Sequence, residues 1–88
     1  MIYTPKFDDQ WKSRWDALDN SVKLRVAKKI NRIVNGLPGR HLQHGTEYFV
    51  EETGQYRIAY KSFENEKMRR FYFVGTHKEY ERWYRQFF

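Results

Sequence analysis

The stretch Tyr48-Phe49-Val50-Glu51-Glu52-Thr53-Gly54-Gln55-Tyr56-Arg57-Ile58-Ala59-Tyr60-Lys61 decides the fold. On both sides of Thr53-Gly54 the pattern has a period of two. Tyr48 and Val50 alternate with Phe49 and Glu51, and Tyr56, Ile58 and Tyr60 alternate with Arg57, Ala59 and Lys61. Such alternation predicts half-buried strands, and the turn residues between them predict a hairpin with two unlike faces. The apolar side is expected to cover a layer of helices. The other side is expected to show Glu51, Arg57 and Lys61 to solvent as a polar floor for a ligand.

Towards the C-terminus, Glu64-Asn65-Glu66-Lys67 supplies a second turn, and Arg69 to Val74 reads as a further strand with Phe71 and Phe73 opposite Arg70 and Tyr72. Gly75 ends that strand. Thr76-His77-Lys78-Glu79 has the form of a capping box, Thr at the N-cap and Glu three residues on, so a helix is expected to begin at His77. Tyr80, Trp83, Tyr84 and Phe87 follow at i, i+3, i+4 and i+7 and would lay this helix on the body of the domain.

Towards the N-terminus, Ile2-Tyr3 suggests a short strand, and Thr4-Pro5 suggests the N-cap and first position of a helix carrying Phe7, Trp11, Trp15 and Leu18 on one stripe. Asp19-Asn20-Ser21 caps a second helix in which Val22, Val26, Ile30 and Ile33 share a face, Arg25, Lys28 and Arg32 lie outside, and Gly36 with Pro38 closes the element. Residues 37–45 form a loop that holds His41 and His44. Their spacing in a loop, with no third ligand, does not define a metal site. The expected architecture is α+β: two N-terminal helices packed on a small antiparallel sheet of about four strands, with a short C-terminal helix, as one domain spanning 1–88.

Composition narrows the function. Rings supply much of the apolar area, with 3 Trp, 7 Tyr and 7 Phe in 88 residues, which argues against disorder. The absence of Cys excludes a disulfide framework, a thiolate nucleophile and any Cys-containing zinc site. The start Met-Ile-Tyr-Thr-Pro lacks the basic region of a signal peptide, and no stretch approaches the roughly 20 apolar residues of a membrane span, so a cytoplasmic protein with no membrane partner is expected. A net charge of +6 favours a polyanionic partner.

RNA carries its own nucleophile, a 2′-hydroxyl beside the scissile phosphate, so cleavage without metal or cofactor needs three services: proton removal, stabilisation of the charged phosphorane and protonation of the leaving oxygen. Arg57, permanently charged and anchored in mid-strand, suits the second; the alternative is an ion pair with Glu51 across the hairpin. A histidine can serve as acid or base in RNA cleavage, and His77 is expected at a helix N-terminus that favours phosphate, although a purely structural histidine fits the same position. Tyr80, three residues on, offers a ring for stacking or a hydroxyl for proton transfer; it also lies on the apolar stripe, where core packing is the alternative. Glu51 is a candidate base, weakened by the full ionisation expected of an exposed carboxylate among cations. Arg40, Lys61, Arg70 and Lys78 are assigned to contact with the RNA.

The order of elements, together with Gly54-Gln55-Tyr56-Arg57-Ile58-Ala59-Tyr60 and Phe73-Val74-Gly75-Thr76-His77-Lys78-Glu79-Tyr80, resembles the RelE/ParE toxin superfamily over almost the whole chain, and its ribonuclease branch of RelE and HigB most closely. That resemblance implies a toxin of a toxin–antitoxin pair that enters the ribosomal A site, cleaves mRNA there and is wrapped by a cognate RelB-like antitoxin. It matches Arg57 to the phosphate-stabilising arginine of the family, and His77 and Tyr80 to the acid/base and stacking end of the site. The chain departs from the pattern at Phe49 and Glu51, where the best-known RelE toxins have lysines, and at His77, where they have a second arginine. Two other readings stay open: a ParE-like toxin that poisons gyrase, and a non-catalytic RNA-binding domain of the same fold.

Overall fold

The computed structural model describes residues 2–37 and 47–87, so the loop with Arg40, His41 and His44 lies outside the described residues. The chain forms β1 (Thr4–Phe7), α1 (Trp11–Asp16), α2 (Asn20–Val34), β2 (Phe49–Thr53), β3 (Tyr56–Phe63), β4 (Met68–Thr76) and α3 (His77–Tyr84), followed by a 3-10 turn at Arg85–Phe87. The sheet has four strands in the order β1-β4-β3-β2. β2, β3 and β4 are antiparallel, as the hairpin pattern predicts, while β1 joins β4 in parallel and makes the sheet mixed.

β1 corrects the expected start of the first helix. Thr4 does not cap a helix; Thr4 to Phe7 pair with Met68 to Phe71. Pro5 fits this edge strand because an edge position can dispense with one N–H, and Thr and Phe favour extended backbone. α1 starts only at Trp11, whose N–H donates to Asp8 O at 2.9 Å. Nor do Ile2 and Tyr3 form a strand: both of their N–H groups donate to Val34 O, tying the chain start to the end of α2.

Where the signals are local, sequence and structure agree. Asp19 caps α2 by accepting from Val22 N at 2.9 Å. Thr76 and Glu79 close the capping box of α3, Glu79 Oε1 accepting from Thr76 N at 2.8 Å and Thr76 Oγ1 from Glu79 N at 3.3 Å. Gly54, with φ of +60°, makes the tight turn between β2 and β3.

Both faces of the sheet are covered. Val22, Val26 and Ile33 of α2 and Trp11 of α1 pack with Ile58, Tyr60, Phe71 and Val74 on one side; Tyr80 and Trp83 of α3 pack with Val50, Ala59 and Phe73 on the other. The expected alignment of Phe71 and Phe73 on one face does not hold. Ala59 pairs with Phe73 and Tyr60 with Phe71, so Tyr72 is an extra residue in β4. This bulge turns the two phenylalanines, both fully buried, to opposite sides of the sheet.

Candidate active site

The site grows from the end of the sheet where β3 begins and β4 ends. Arg57 is opposite Gly75 on β4 and opposite Glu52 on β2. Gly75 leaves no room for a larger residue: a methyl there would lie 2.8 Å from Phe73 Cζ and 3.0 Å from Glu79 Oε1. β4 therefore passes directly into α3 with the helix start pressed against the sheet. The His77 N–H donates to Gln55 O at 3.1 Å, fastening that helix start to the β2–β3 turn.

These constraints place Gly54, Gln55, Arg57, Thr76, His77 and Lys78 around one cleft of about 430 Å³. Arg57 and His77, chosen from sequence as the two ends of a phosphate site, thus share a cavity. The Arg57 guanidinium lies 3.0 Å from Glu52 Oε1 and 6.0 Å above the Tyr80 ring, with the side chain 26% exposed. His77 Nε2 is 2.7 Å from Glu81 Oε1, one helical turn on. A carboxylate in that place holds the neutral ring with its proton on Nε2 and leaves Nδ1 as the basic nitrogen, the orienting role an acidic partner plays for a catalytic imidazole. Lys78 is exposed beside the cleft. A larger groove of about 680 Å³ meets it at Thr76 and is lined in part by Gln10, Ser13, Arg14 and Glu79; it has no imidazole and no strand-anchored cation.

The other candidates lie elsewhere. Glu51 is opposite Ile58 and so faces the α1/α2 layer, where it is 2% exposed. The expected polar floor does not exist: alternation puts Glu51 on the opposite side from Arg57 and Lys61, and α3 covers the middle of the face that those two share. The alternative reading of Arg57, an ion pair across the hairpin, holds with Glu52 in place of Glu51. Tyr80 is 3% exposed, packed on Phe73, Trp83 and Tyr84, and burial pushes its hydroxyl up to about 12. It takes the core position and supports Arg57 from below.

Lys61 and Arg70 lie together, directly paired across β3 and β4, at the far end of α3. Lys61 is four residues along β3 from Arg57, about 13 Å at strand spacing. Both are engaged: Lys61 Nζ lies 3.5 Å from Glu47 and 4.8 Å from the Tyr48 ring, and Arg70 Nη2 lies 2.9 Å from Asp8 Oδ1. Sequence reasoning missed Glu52 and Glu81. A two-residue turn, Gly54-Gln55, sets Thr53 against Tyr56 and hence Glu52 against Arg57, and the i, i+4 spacing of His77 and Glu81 on a helix carried the second signal. Among the described residues, no three His, Cys, Asp or Glu side chains are grouped to hold a metal ion, and no helix is long and apolar enough to cross a membrane.

No family model matches the chain, and a comparison with curated proteins finds none that matches. Solved structures do. The isolated RelE toxin of E. coli superposes with a TM-score of 0.74 at 16% identity, covering 98% of this chain and 99% of that one. The toxin–antitoxin complex RelBE of E. coli gives 0.73 at 18% identity, covering 84% of this chain and 95% of its match. The toxin–antitoxin complex RelBE2 from Mycobacterium tuberculosis gives 0.70 at 15% identity, covering 88% and 93%. The fold is that of the RelE toxins, as the sequence resemblance implied.

Proposed function

We propose that this RelE-fold chain is the toxin of a type II toxin–antitoxin pair, an mRNA endoribonuclease of the cytoplasm that acts in the ribosomal A site and is held inactive by a RelB-like antitoxin. The observation that carries this reading is the meeting of a strand-anchored guanidinium and a carboxylate-oriented imidazole in one cleft. Support for a toxin and an antitoxin partner comes from the solved neighbours, which are RelE toxins, some bound to their antitoxins.

The chemistry needs only residues of this chain and the RNA. The 2′-hydroxyl gives its proton to His77 Nδ1 while its oxygen forms a bond to phosphorus, and the Arg57 guanidinium donates to the phosphorane oxygens as charge accumulates. The bond from phosphorus to the 5′-oxygen then breaks, leaving a 2′,3′-cyclic phosphate, and the imidazolium holds the proton that the leaving oxygen takes up. Lys78 adds a non-directional cation at the cleft rim. Tyr80 acts as a positioning residue beneath Arg57, and Glu51 has no part.

The test is induction in a host without the antitoxin, with mRNA 5′ ends mapped for wild type and Arg57→Ala. Wild type is expected to create new 5′ ends. The variant is expected to fold and to lose cleavage by about 10²–10³-fold, the usual cost of removing one charge-stabilising donor. A variant as toxic as wild type would end this reading; growth arrest with intact transcripts and damaged DNA would point to a gyrase poison.

A further inference from the structure

α2 carries an unusual charge pattern. Its fifteen residues, Asn20–Val34, include Lys23, Arg25, Lys28, Lys29 and Arg32 and no Asp or Glu. Arg25, Lys28, Lys29 and Arg32 recur at i, i+3, i+4 and i+7, the spacing that gathers side chains on one flank of a helix. Arg25, Lys28 and Arg32 are exposed, and none of the ion pairs found among the described residues involves them. Asp19 feels the charge of Arg25, but the two form no ion pair among the described residues; Asp19 Oδ1 accepts from Val22 N and Ser21 Oγ. Elsewhere the cations are mixed: Lys12, Arg57, Lys61, Arg70 and Arg85 each face a carboxylate, while Lys6, Lys67, Lys78 and Arg82 are in none of the ion pairs found among the described residues but do not form a four-residue row on one helix.

Position gives this flank its meaning. A methyl on Gly54 would lie 3.2 Å from Arg25 Nη1, so the basic flank begins against the turn that walls the cleft of Arg57 and His77. From Arg25 to Arg32 the helix rises about 10 Å, the length of about three phosphates at a stacked single-strand spacing of about 3.4 Å. We infer that Arg25, Lys28 and Arg32 form a phosphate track that carries the RNA strand away from the cleft, over the Gly54 turn and along α2. The inference rests on the cleft being an RNA site; it adds where the flanking strand lies. No aromatic side chain interleaves the three cations in sequence, so the track grips backbone charge and is indifferent to base identity.

The experiment measures binding of a labelled single-stranded RNA of about 12 nucleotides, and of a trinucleotide, to the whole protein over a series of salt concentrations. Three proteins are compared: wild type, the variant Arg25→Gln/Lys28→Gln/Arg32→Gln, and a control, Lys6→Gln/Lys67→Gln, at two exposed lysines on other elements. Gln keeps helix propensity, so the track variant is expected to retain its circular dichroism. It should lose roughly tenfold or more in affinity for the long RNA, with the slope of log K against log salt reduced by about 2, from three released contacts at about 0.7 each. Trinucleotide affinity should stay within twofold. Equal loss in the control would assign the effect to net charge and overturn the track. So would unchanged binding of the long RNA, including the case in which only an acidic protein partner is released. Track-dependent binding without any cleavage by wild type would sink the nuclease reading and leave the track standing.

Discussion

Arg57 Nη1 lies 3.0 Å from Glu52 Oε1, across the ladder between β2 and β3. The cation proposed to meet the phosphorane is therefore already paired in the free protein, and an incoming phosphate must compete with a carboxylate. Glu52 is about half exposed, so the pair is well screened and contributes at most about 1 kcal/mol. Glu52→Gln is accordingly expected to lower KM for RNA by a factor of up to about 5 and to leave kcat little changed. Steady-state cleavage of a model RNA reads this directly, and a raised KM would show that Glu52 aims the guanidinium instead of competing for it.

Tyr80 offers a sharper test because its hydroxyl and its ring have separable roles. Burial holds the hydroxyl at about 12, the neighbouring Tyr84 adds to the rise and Arg57 opposes it, so at neutral pH the group has little tendency to give up its proton. Tyr80→Phe is expected to keep cleavage within about threefold and to leave the pH profile unmoved. Tyr80→Ala removes the ring under Arg57 and opens a cavity beside Phe73 and Trp83, with an expected loss of about 3–5 kcal/mol. Cleavage abolished in Tyr80→Phe, with the melting temperature intact, would restore the hydroxyl to the chemistry.

The difference between what the sequence disclosed and what it hid follows the range of the interactions. The caps at Asp19 and Thr76 are legible because donor and acceptor are three residues apart. The β2–β3 hairpin is legible because the turn sets its register. β1 is not: Thr4 finds Met68 across more than sixty residues, and nothing local to Thr4-Pro5 distinguishes an edge strand from a helix start. The bulge at Tyr72 is equally non-local, and it decides which face Phe73 takes. Of the site, Arg57 and His77 were legible as types in a pattern; the burial of Glu51 and Tyr80 depended on where α2 and α3 came to rest.

Acid should reveal the anchor between β1 and β4. Burial tends to raise the Asp8 carboxyl, yet hydrogen bonds from Arg70 and Gln10, and the charge of Arg70, outweigh it and hold Asp8 below its ordinary value of 3.8. A depressed folded value means that the interaction stabilises the protein fully above the ordinary carboxylate range and is lost as pH falls through the lowered value. Asp8→Asn should therefore be less stable than wild type at pH 7, and the gap between their urea midpoints should close as pH falls below about 4. No gap at pH 7 would mean that Asp8 acts through its backbone N–H to Phe71 O alone, a bond the variant keeps.

Glu51 and Tyr60 present the opposite case, buried side chains that each keep a polar atom unpaired among the described residues. Both face the α1/α2 layer; Glu51 Oε2 and the Tyr60 hydroxyl find no hydrogen-bond partner among the described residues, and burial pushes Tyr60 up to about 12. A carboxylate in such a place costs its own desolvation, which an apolar side chain of similar volume does not incur. Glu51→Leu is therefore expected to stabilise the fold by roughly 1–3 kcal/mol and to cleave RNA as wild type does. Urea unfolding and an RNA cleavage assay on the same preparation check both halves. A more stable variant that no longer cleaves would mean that stability was given up at this position for a catalytic carboxylate. A less stable one would mean that Glu51 holds its place through a contact that leucine cannot make.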